Sequence, residues 1–527
     1  VLDFDEGTTL EQTDAAVRQF ERFLRTAPEV TDFQSYVGTA SPMDFNAMVR
    51  HYYLRQGSNV ADIRINLVGK RQREMKSHAL ALRLRPELEK LAAETGASLS
   101  IVETPPGPPV IQTLVAEVTG TPASSYGELM ATAKTVAARM AREPGVRDID
   151  DTIEARQSKF VFVTDKEKAL LNGVTTERIA STLKVALEGQ AAGTVQIEDE
   201  RQPLAIVLRL PRPLRSSIND LSQVHVAGEG GRLTPLAELG SWVESTRDQT
   251  IYRKDLQRVV YVFADAIGRP PADVVLDIEA DQVAPVAQPE GPVEQVGSGW
   301  VSLATPRPVD GRTFIDSGGD VAWSVPAGME VRWSGEGEWQ ITLDVFRDMG
   351  LAYIGALVGI YILLVNQTGS FSLPVVVMLA IPLTIIGIMP GFWLLNVLGG
   401  GTVGGYPDPV FFTATAMIGM IALAGIVTRD AIILVDFIHL SLASGRSLFD
   451  AIMESRVVRL RPILLTAASA MVAASPITLD PIFSGLAWAL IFGLLASTIF
   501  TLFVIPVTYW LLYEKHPTHG LAEAVEK

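Results

Sequence analysis

Fifty-eight consecutive residues without an Asp, Glu, Lys or Arg, Gly350 to Pro407, set the first constraint on this chain. One membrane-spanning helix takes roughly 20 apolar residues, so the run has room for two spans and their connection. Three more charge-free runs follow, Pro409–Thr428, Pro462–Leu479 and Pro481–Tyr513. A charge at the centre of a bilayer is costly enough that such a pattern implies hydrocarbon around it. The spacing predicts five spans, near 349–366, 373–396, 411–438, 462–480 and 485–512.

Residues 1 to about 348 are of another kind, with charges throughout. The net charge of −15 sits mostly there and argues against nucleic acid as a partner. The absence of cysteine removes disulfides and thiolate metal sites and suits an oxidising compartment. The segment His439–Arg461 carries Arg446, Arg456, Arg459 and Arg461, whereas 397–410 and 480–484 carry only Asp408 and Asp480. The positive-inside rule therefore expects the arginine-rich loop in the cytoplasm and residues 1–348 outside it. A large external domain needs something to export it, and the chain opens on Val1 without a signal peptide. The expectation is a piece of a longer protein with at least one span upstream, or a cleaved signal.

The external part reads as alternating strands and helices. Thr8 and Glu11 have capping-box spacing before the helical repeat Val17, Phe20, Phe23, Leu24. Residues 61–69 alternate as a strand, and 77–95 read as a helix ending at Gly96. The "PPGPP" of 105–109 marks a boundary. The order then repeats: a strand at 110–120, a helix after the Ser125/Glu128 capping-box spacing, and a strand at 159–165. Two compact α+β units of β-α-β type follow from this. A helix at 174–189, strands at 203–210 and 259–266, and a turn-rich hairpin at 228–240 come next. The Pro/Gly-rich 284–318 reads as a long loop, and "GGGTVGG" at 399–405 as a flexible external loop.

Two sets of residues carry candidate chemistry. The stretch "GIVTRDAIILVDF" sets Arg429, Asp430 and Asp436 inside an apolar run. Either the span ends near 428 and Arg429 snorkels to the headgroups, or the helix continues and the charges lie within the bilayer. A helix over 411–438 is about 42 Å long at 1.5 Å per residue, against a hydrocarbon core of roughly 30 Å, which allows the second reading. Arg429 and Asp436, seven residues apart, share a helix face, and Asp430 points about 100° away. The second set is Met43, Phe45, Met48, Tyr52 and Tyr53 in "SPMDFNAMVRHYYL", residues suited to a surface that repacks around varied apolar ligands, or to a core beneath a loop. No GxxxxGK[ST] loop is present, which speaks against ATP drive. Of the six histidines only His516 and His519 are close together.

Nearly the whole chain resembles the C-terminal half of resistance-nodulation-division (RND) efflux permeases. The likeness is carried by "VLDFDEGTTLEQTDAAVRQFERFL", "DKEKALLNGVTTERIASTL", "FSLPVVVMLAIPLTIIG", "GIVTRDAIILVDF" and "RLRPILLTAASAMVAASPITL". The resemblance implies α+β periplasmic porter and docking subdomains, with ferredoxin-like β-α-β units, followed by an all-α bundle of five transmembrane helices. It implies porter segments at 1–108, 109–172 and 258–347, a docking subdomain at 173–257, spans eight to twelve at 348–513, and a cytoplasmic tail at 514–527. It implies a Gram-negative inner-membrane protein and a secondary active transporter, not an enzyme. Inward proton flow would drive efflux of hydrophobic or amphiphilic compounds. No cofactor and no bound metal are implied. The implied partners are the missing N-terminal half, two further copies in a homotrimer, a periplasmic adaptor, an outer-membrane channel and the lipid bilayer.

The resemblance also implies roles. Arg429 stands where the family usually has a lysine beside paired aspartates, in its proton relay; Arg459 and Thr466 match the same region. Arginine does not release its proton, so Arg429 is expected to be a fixed counter-charge while carboxylates carry the proton. For Thr466 a bond back to its own helix carbonyl is the competing reading, and for Arg459 ordinary positive-inside charge. The substrate cleft would lie in the subdomain that holds Met43 to Tyr53. The competing functions are a heavy-metal exporter and a membrane assembly component that transports nothing.

Overall fold

A computed structural model describes residues 1–103, 110–198, 200–285, 291–480 and 482–514. The expected boundary at 105–109 and the tail from 515, with His516 and His519, lie outside the described residues. The chain divides into two compact units, Glu154–Thr250 and the remainder.

The larger unit opens with a four-stranded antiparallel sheet ordered Val30–Thr39, Gln56–Leu67, Leu2–Asp3, Ser98–Leu99. Helices Leu10–Leu24 and Ser77–Thr95 supply Val17, Phe20 and Leu88 to a core shared with Leu2 and Ala61. The first helix is capped one residue later than expected. Thr9 and Gln12 make the reciprocal box, with N···O distances of 3.3 and 3.1 Å. The Thr8 hydroxyl is instead spent on the Asp5 carbonyl at 2.7 Å. Gly96 closes the second helix with φ 72°, a left-handed residue where glycine carries no Cβ penalty.

A second, five-stranded antiparallel sheet repeats the plan in the order Val146–Asp151, Gln257–Ala266, Leu114–Gly120, Met329–Arg332, with the short strand Arg253–Lys254 also paired to Gln257–Ala266. Helices Tyr126–Arg142 and Pro271–Ala280 pack on it. Here Ser125 and Glu128 do form the expected capping box. The stretch 284–318 is not one loop. Val293–Val296 pairs with Gly299–Ser302, which pairs with Trp323–Ser324, because the fully buried Trp323 anchors a small sheet of its own.

In the smaller unit, Ser158–Thr164 pairs with Gly240–Thr246 over seven residues. That antiparallel pair lies near the two ends of the unit, which runs from Glu154 to Thr250. Val174, Ile179, Val226, Leu236 and Leu239 form its core.

Five helices are long and apolar enough to cross a membrane: Glu338–Thr368, Leu373–Gly399, Ala414–Ala443, Leu448–Leu479 and Ser484–Tyr513. Two boundaries differ from expectation. The first helix starts eleven residues before 349, because the charged turn Asp344–Arg347–Asp348 stays helical and pairs within itself at 3.1 and 2.8 Å. The arginine-rich segment is helix rather than loop. Only 444–447 turn, and Arg456, Arg459 and Arg461 ride on the fourth helix. Close contacts hold the bundle. A Cβ on Gly493 would lie 2.1 Å from Leu423, and one on Gly391 2.3 Å from the Phe492 ring. Small residues at such crossings let helices approach within van der Waals range in lipid, where no hydrophobic force drives them together. The first span is hardly covered at all: Leu364 is its one buried residue among those described.

Candidate functional site

The third span, Ala414–Ala443, is continuous through Arg429, Asp430 and Asp436. Its intrahelical hydrogen bonds satisfy the backbone, so the charges do not end the helix. Asp430 points into the bundle and Arg429 out of it, with side chains 7% and 55% exposed and Arg429 Nε 3.4 Å from Asp430 Oδ1. Asp436 is exposed. It has no hydrogen bond or ion pair among the described residues. Together with Ile418, Ala422, Gly425 and Leu440, Arg429 and Asp436 are exposed along one face at helical spacing, with Ile432 and Ile433 half-buried between them. A stripe with two charges and two small residues does not suit lipid; it needs a protein surface opposite.

The fourth span brings Arg459 to the same neighbourhood. Its guanidinium carbon lies 5.0 Å from the centre of the Phe437 ring, a cation–π contact that partly replaces water around the charge. Its Nε is buried without a hydrogen-bond partner among the described residues. Thr466, half-buried, donates to the carbonyl of Ile463 at 2.9 Å. This is the bond back to its own helix, and in this structure the hydroxyl is not offered to Arg429 or Asp436. One group that sequence reading missed is Glu454, which joins the third and fourth spans by accepting from Ser441 at 2.7 Å and pairing with Arg446 at 3.1 Å.

The methionine and aromatic set lies in the first sheet's domain, on a short helix, Phe45–Val49, and the turn Tyr52–Leu54. Asp44 caps the helix through Ala47 N at 2.8 Å and is held by Arg64 at 2.9 Å. Met43, Phe45, Met48 and Tyr53 are 64, 55, 49 and 40% exposed, so they are not core beneath a loop. Tyr52 is half-buried, with the Arg55 guanidinium 5.7 Å from its ring centre. His51 links helix and turn in a left-handed conformation, φ 57°, uncommon for a side chain of its size. Beside it opens a cleft of about 250 Å³ lined by Val49, His51, Val110, Ile111, Gly335, Glu336, Gly337 and Ile341.

One residue of the lining, Glu336, is tied into an ion group. Lys254 bridges Glu117 at 2.6 Å and Glu336 at 2.9 Å. Burial disfavours its charged form, but the bonds to Glu117 and Glu336 prevail and hold its pKa above the ordinary value. Among the described residues no group of three or more His, Cys, Asp or Glu is arranged to hold a metal ion.

With this geometry in view, comparison with known proteins decides the family. The model of the AcrB/AcrD/AcrF family matches residues 1–298 and 320–513. The chain belongs to that family. The family model passes over 299–319, the segment that follows the turn of the small third sheet. Among curated relatives, the swarming motility protein SwrC of Bacillus subtilis is 25% identical over 402 residues, covering 74% of this chain and 32% of its own. The nickel and cobalt resistance protein CnrA of Cupriavidus metallidurans is 25% identical over 537 residues, 98% of this chain and 43% of that one. The multidrug resistance protein MdtC of Serratia proteamaculans is 22% identical, over 96% and 43%. Two crystal forms of a heavy metal efflux pump superpose with TM-scores of 0.71 and 0.72 at 16% identity, covering 97% of this chain. The chain thus spans less than half the length of these relatives.

Proposed function

We propose that this chain is the C-terminal half of an RND efflux permease of a Gram-negative inner membrane. In this reading the two repeated sheet domains are ferredoxin-like porter subdomains, the unit Glu154–Thr250 is the docking subdomain, and the five spans are the eighth to twelfth. Residues 1–348 face the periplasm and the C-terminus the cytoplasm. The permease works as a homotrimer with a periplasmic adaptor and an outer-membrane channel.

The uncovered stripe of the third span carries the proposal. Arg429 and Asp436 look out of this half, and the missing N-terminal half covers them with carboxylates of its own. Arg429 supplies fixed positive charge there, and Asp430, Arg459 and Thr466 line the way to it. Proton arrival and departure on the carboxylates change the charge balance around Arg429, and the helices rearrange with it.

The transported class in this reading is hydrophobic or amphiphilic. The exposed Met43, Phe45, Met48 and Tyr53, neighbours in sequence of the cleft residues Val49 and His51, support it. A second reading, export of heavy-metal cations, draws support from CnrA and from the heavy metal efflux pump. The test is transport by the complete permease in proteoliposomes under an imposed pH gradient, with ethidium and Ni²⁺ as separate probes. Ethidium movement abolished by Arg429→Ala, with assembly intact, is the expected result. Undiminished movement in that variant refutes the coupling role, and movement of Ni²⁺ alone selects the metal reading.

A further inference from the structure

The connection between the second and third spans belongs neither to the candidate relay nor to the cleft. Its glycines suggest slack, yet the structure is a built hairpin. Thr402–Val403 pairs with Tyr406–Pro407 around Gly404 and Gly405. Both turn residues have positive φ, 61° and 86°, the two-residue turn whose twist matches paired strands. The base is tied as well. Asp408 N donates to Gly401 O at 3.0 Å. Asn396, near the end of the second span, bonds both polar groups of Val410, at 3.0 and 2.7 Å. Phe412 then packs edge-on against Phe392 of the second span, ring centres 5.6 Å apart. Only a few residues separate this base from the start of the third span at Ala414.

The tip touches both repeated sheet domains. On the first-domain helix Ser77–Thr95, the Glu89 carboxylate accepts from the Tyr406 hydroxyl, at 3.1 and 3.2 Å from its two oxygens. Gly404 lies so close to that helix that a Cβ would sit 2.1 Å from the carbonyl oxygen of Leu82. On the second domain, Arg147 lies over the Tyr406 ring at 5.6 Å and donates to its hydroxyl at 3.4 Å. Pro407 abuts Gly268, where a Cβ would meet its Cδ at 2.9 Å. Beside this tip the two domains are joined directly, Arg85 holding Asp148 at 2.5 and 3.1 Å.

We propose that the hairpin Thr402–Pro407 is a rigid strut that passes displacement of the third span to the seam between the two sheet domains, with Tyr406 as its point of engagement. The inference rests on the efflux reading and deepens it. The helix that carries Arg429 and Asp436 begins at the strut's base, so a shift of that helix moves Tyr406 against Glu89 and Arg147 together. Packed contacts of this kind respond by re-seating rather than by stretching, which turns a small shift into a change of domain spacing.

The test slackens the linkage without touching either end. Three glycines inserted between Val410 and Phe411 of the complete permease leave the docked hairpin and the third span intact. In proteoliposomes under a pH gradient, ethidium or Ni²⁺ transport should fall about tenfold or more, while proton flux, read by an internal pH dye, stays near that of the unmodified protein; a tenfold loss lies within ordinary coupling energies. Uncoupled flux of this kind is not expected from a merely structural defect, which lowers both fluxes together. Tyr406→Phe, which keeps the ring and removes the hydroxyl bond to Glu89, should shift the same ratio in the same direction and guards against misfolding of the insertion. Unchanged transport in the insertion variant, with transport lost in Arg429→Ala, overturns the strut and spares the efflux reading. Unchanged transport in both overturns the two together, and parallel loss of both fluxes in an assembled insertion variant overturns the strut.

Discussion

Glu143→Ala should loosen the second sheet's domain by several kcal/mol, in one identifiable place. Glu143 is fully buried at the end of helix Tyr126–Arg142 and binds three arginines: Arg269 and Arg312 at 2.6 Å each, and Arg139 at 2.9 Å. Asp277 and Asp281 complete the cluster, Asp277 taking Arg269 at 2.5 Å and Arg312 at 2.8 Å, and Asp281 taking Arg139 at 2.7 Å. Three cations thus face three anions in a region where all six side chains are at most 8% exposed. The intact cluster adds little net stability, because desolvating the charges offsets their attraction. Removing one partner is different. Three buried guanidinium groups then face two carboxylates, and breaking a buried pair in this way costs about 3–5 kcal/mol.

The same carboxylates hold the returning chain. Gly318 N donates to Asp277 at 2.8 Å, and the amides of Gly319, Asp320 and Val321 donate to Asp281 at 2.9, 3.1 and 3.2 Å. Native-state hydrogen exchange of those four amides is therefore the assay. With about 1.4 kcal/mol per decade, the loss corresponds to exchange faster by roughly 10²-fold or more. Strand amides in the first sheet, Val30–Thr39, should keep their rates. Exchange at 318–321 within about threefold of the unmodified protein would refute the reasoning, since it would mean the cluster carries less than ~1 kcal/mol of local stability.

Three other outcomes follow from single positions. Asp150 is pushed up from 3.8 to about 7, by burial first and then by the Asp3 carboxylate, so the folded state keeps a proton that the unfolded chain releases. Its stabilising contribution is present below pH 4 and lost as pH rises through 7; Asp150→Asn should flatten that fall and raise stability at pH 8 by at most about 4 kcal/mol at 1.36 kcal/mol per unit, read as a higher thermal midpoint. Leu256 sits with φ 65° at the turn between Arg253–Lys254 and Gln257–Ala266, 98% exposed. About 1–2 kcal/mol of left-handed strain less roughly 1 kcal/mol of added chain entropy leaves Leu256→Gly neutral to stabilising, read as slower exchange across the hairpin. Arg429→Lys should keep substantial transport if position 429 only supplies positive charge; loss as complete as in Arg429→Ala would show that the arginine's fixed protonation or its fork geometry matters.

What could be read from the residues was whatever depends on near neighbours. The charge-free runs fixed five spans, since the cost of a charge in hydrocarbon acts residue by residue. Capping spacing at Ser125 and Glu128 fixed a helix start, because that bond spans three positions. Even here a one-residue slip occurred at Thr8, where the carbonyl of Asp5, three residues earlier, took the hydroxyl. Of the candidate site, the chain showed which charges sit in the third span and that Arg429 and Asp436 share a face.

What the sequence left open depends on partners distant in the chain. "GGGTVGG" looked slack, and it is firm in part because Glu89, Arg147 and Gly268, all more than a hundred residues away, meet the tip of its hairpin. The six-membered ion cluster gathers residues from 139 to 312, and no local pattern announces it. Met43, Phe45 and Met48 could have been core or surface by composition alone; only the sheet's placement left them uncovered. The side of the third span on which Asp430 is buried and Arg429 exposed was likewise decided by the other spans packing against it. Periodicity fixes which residues share a face, and tertiary packing alone fixes which face is covered.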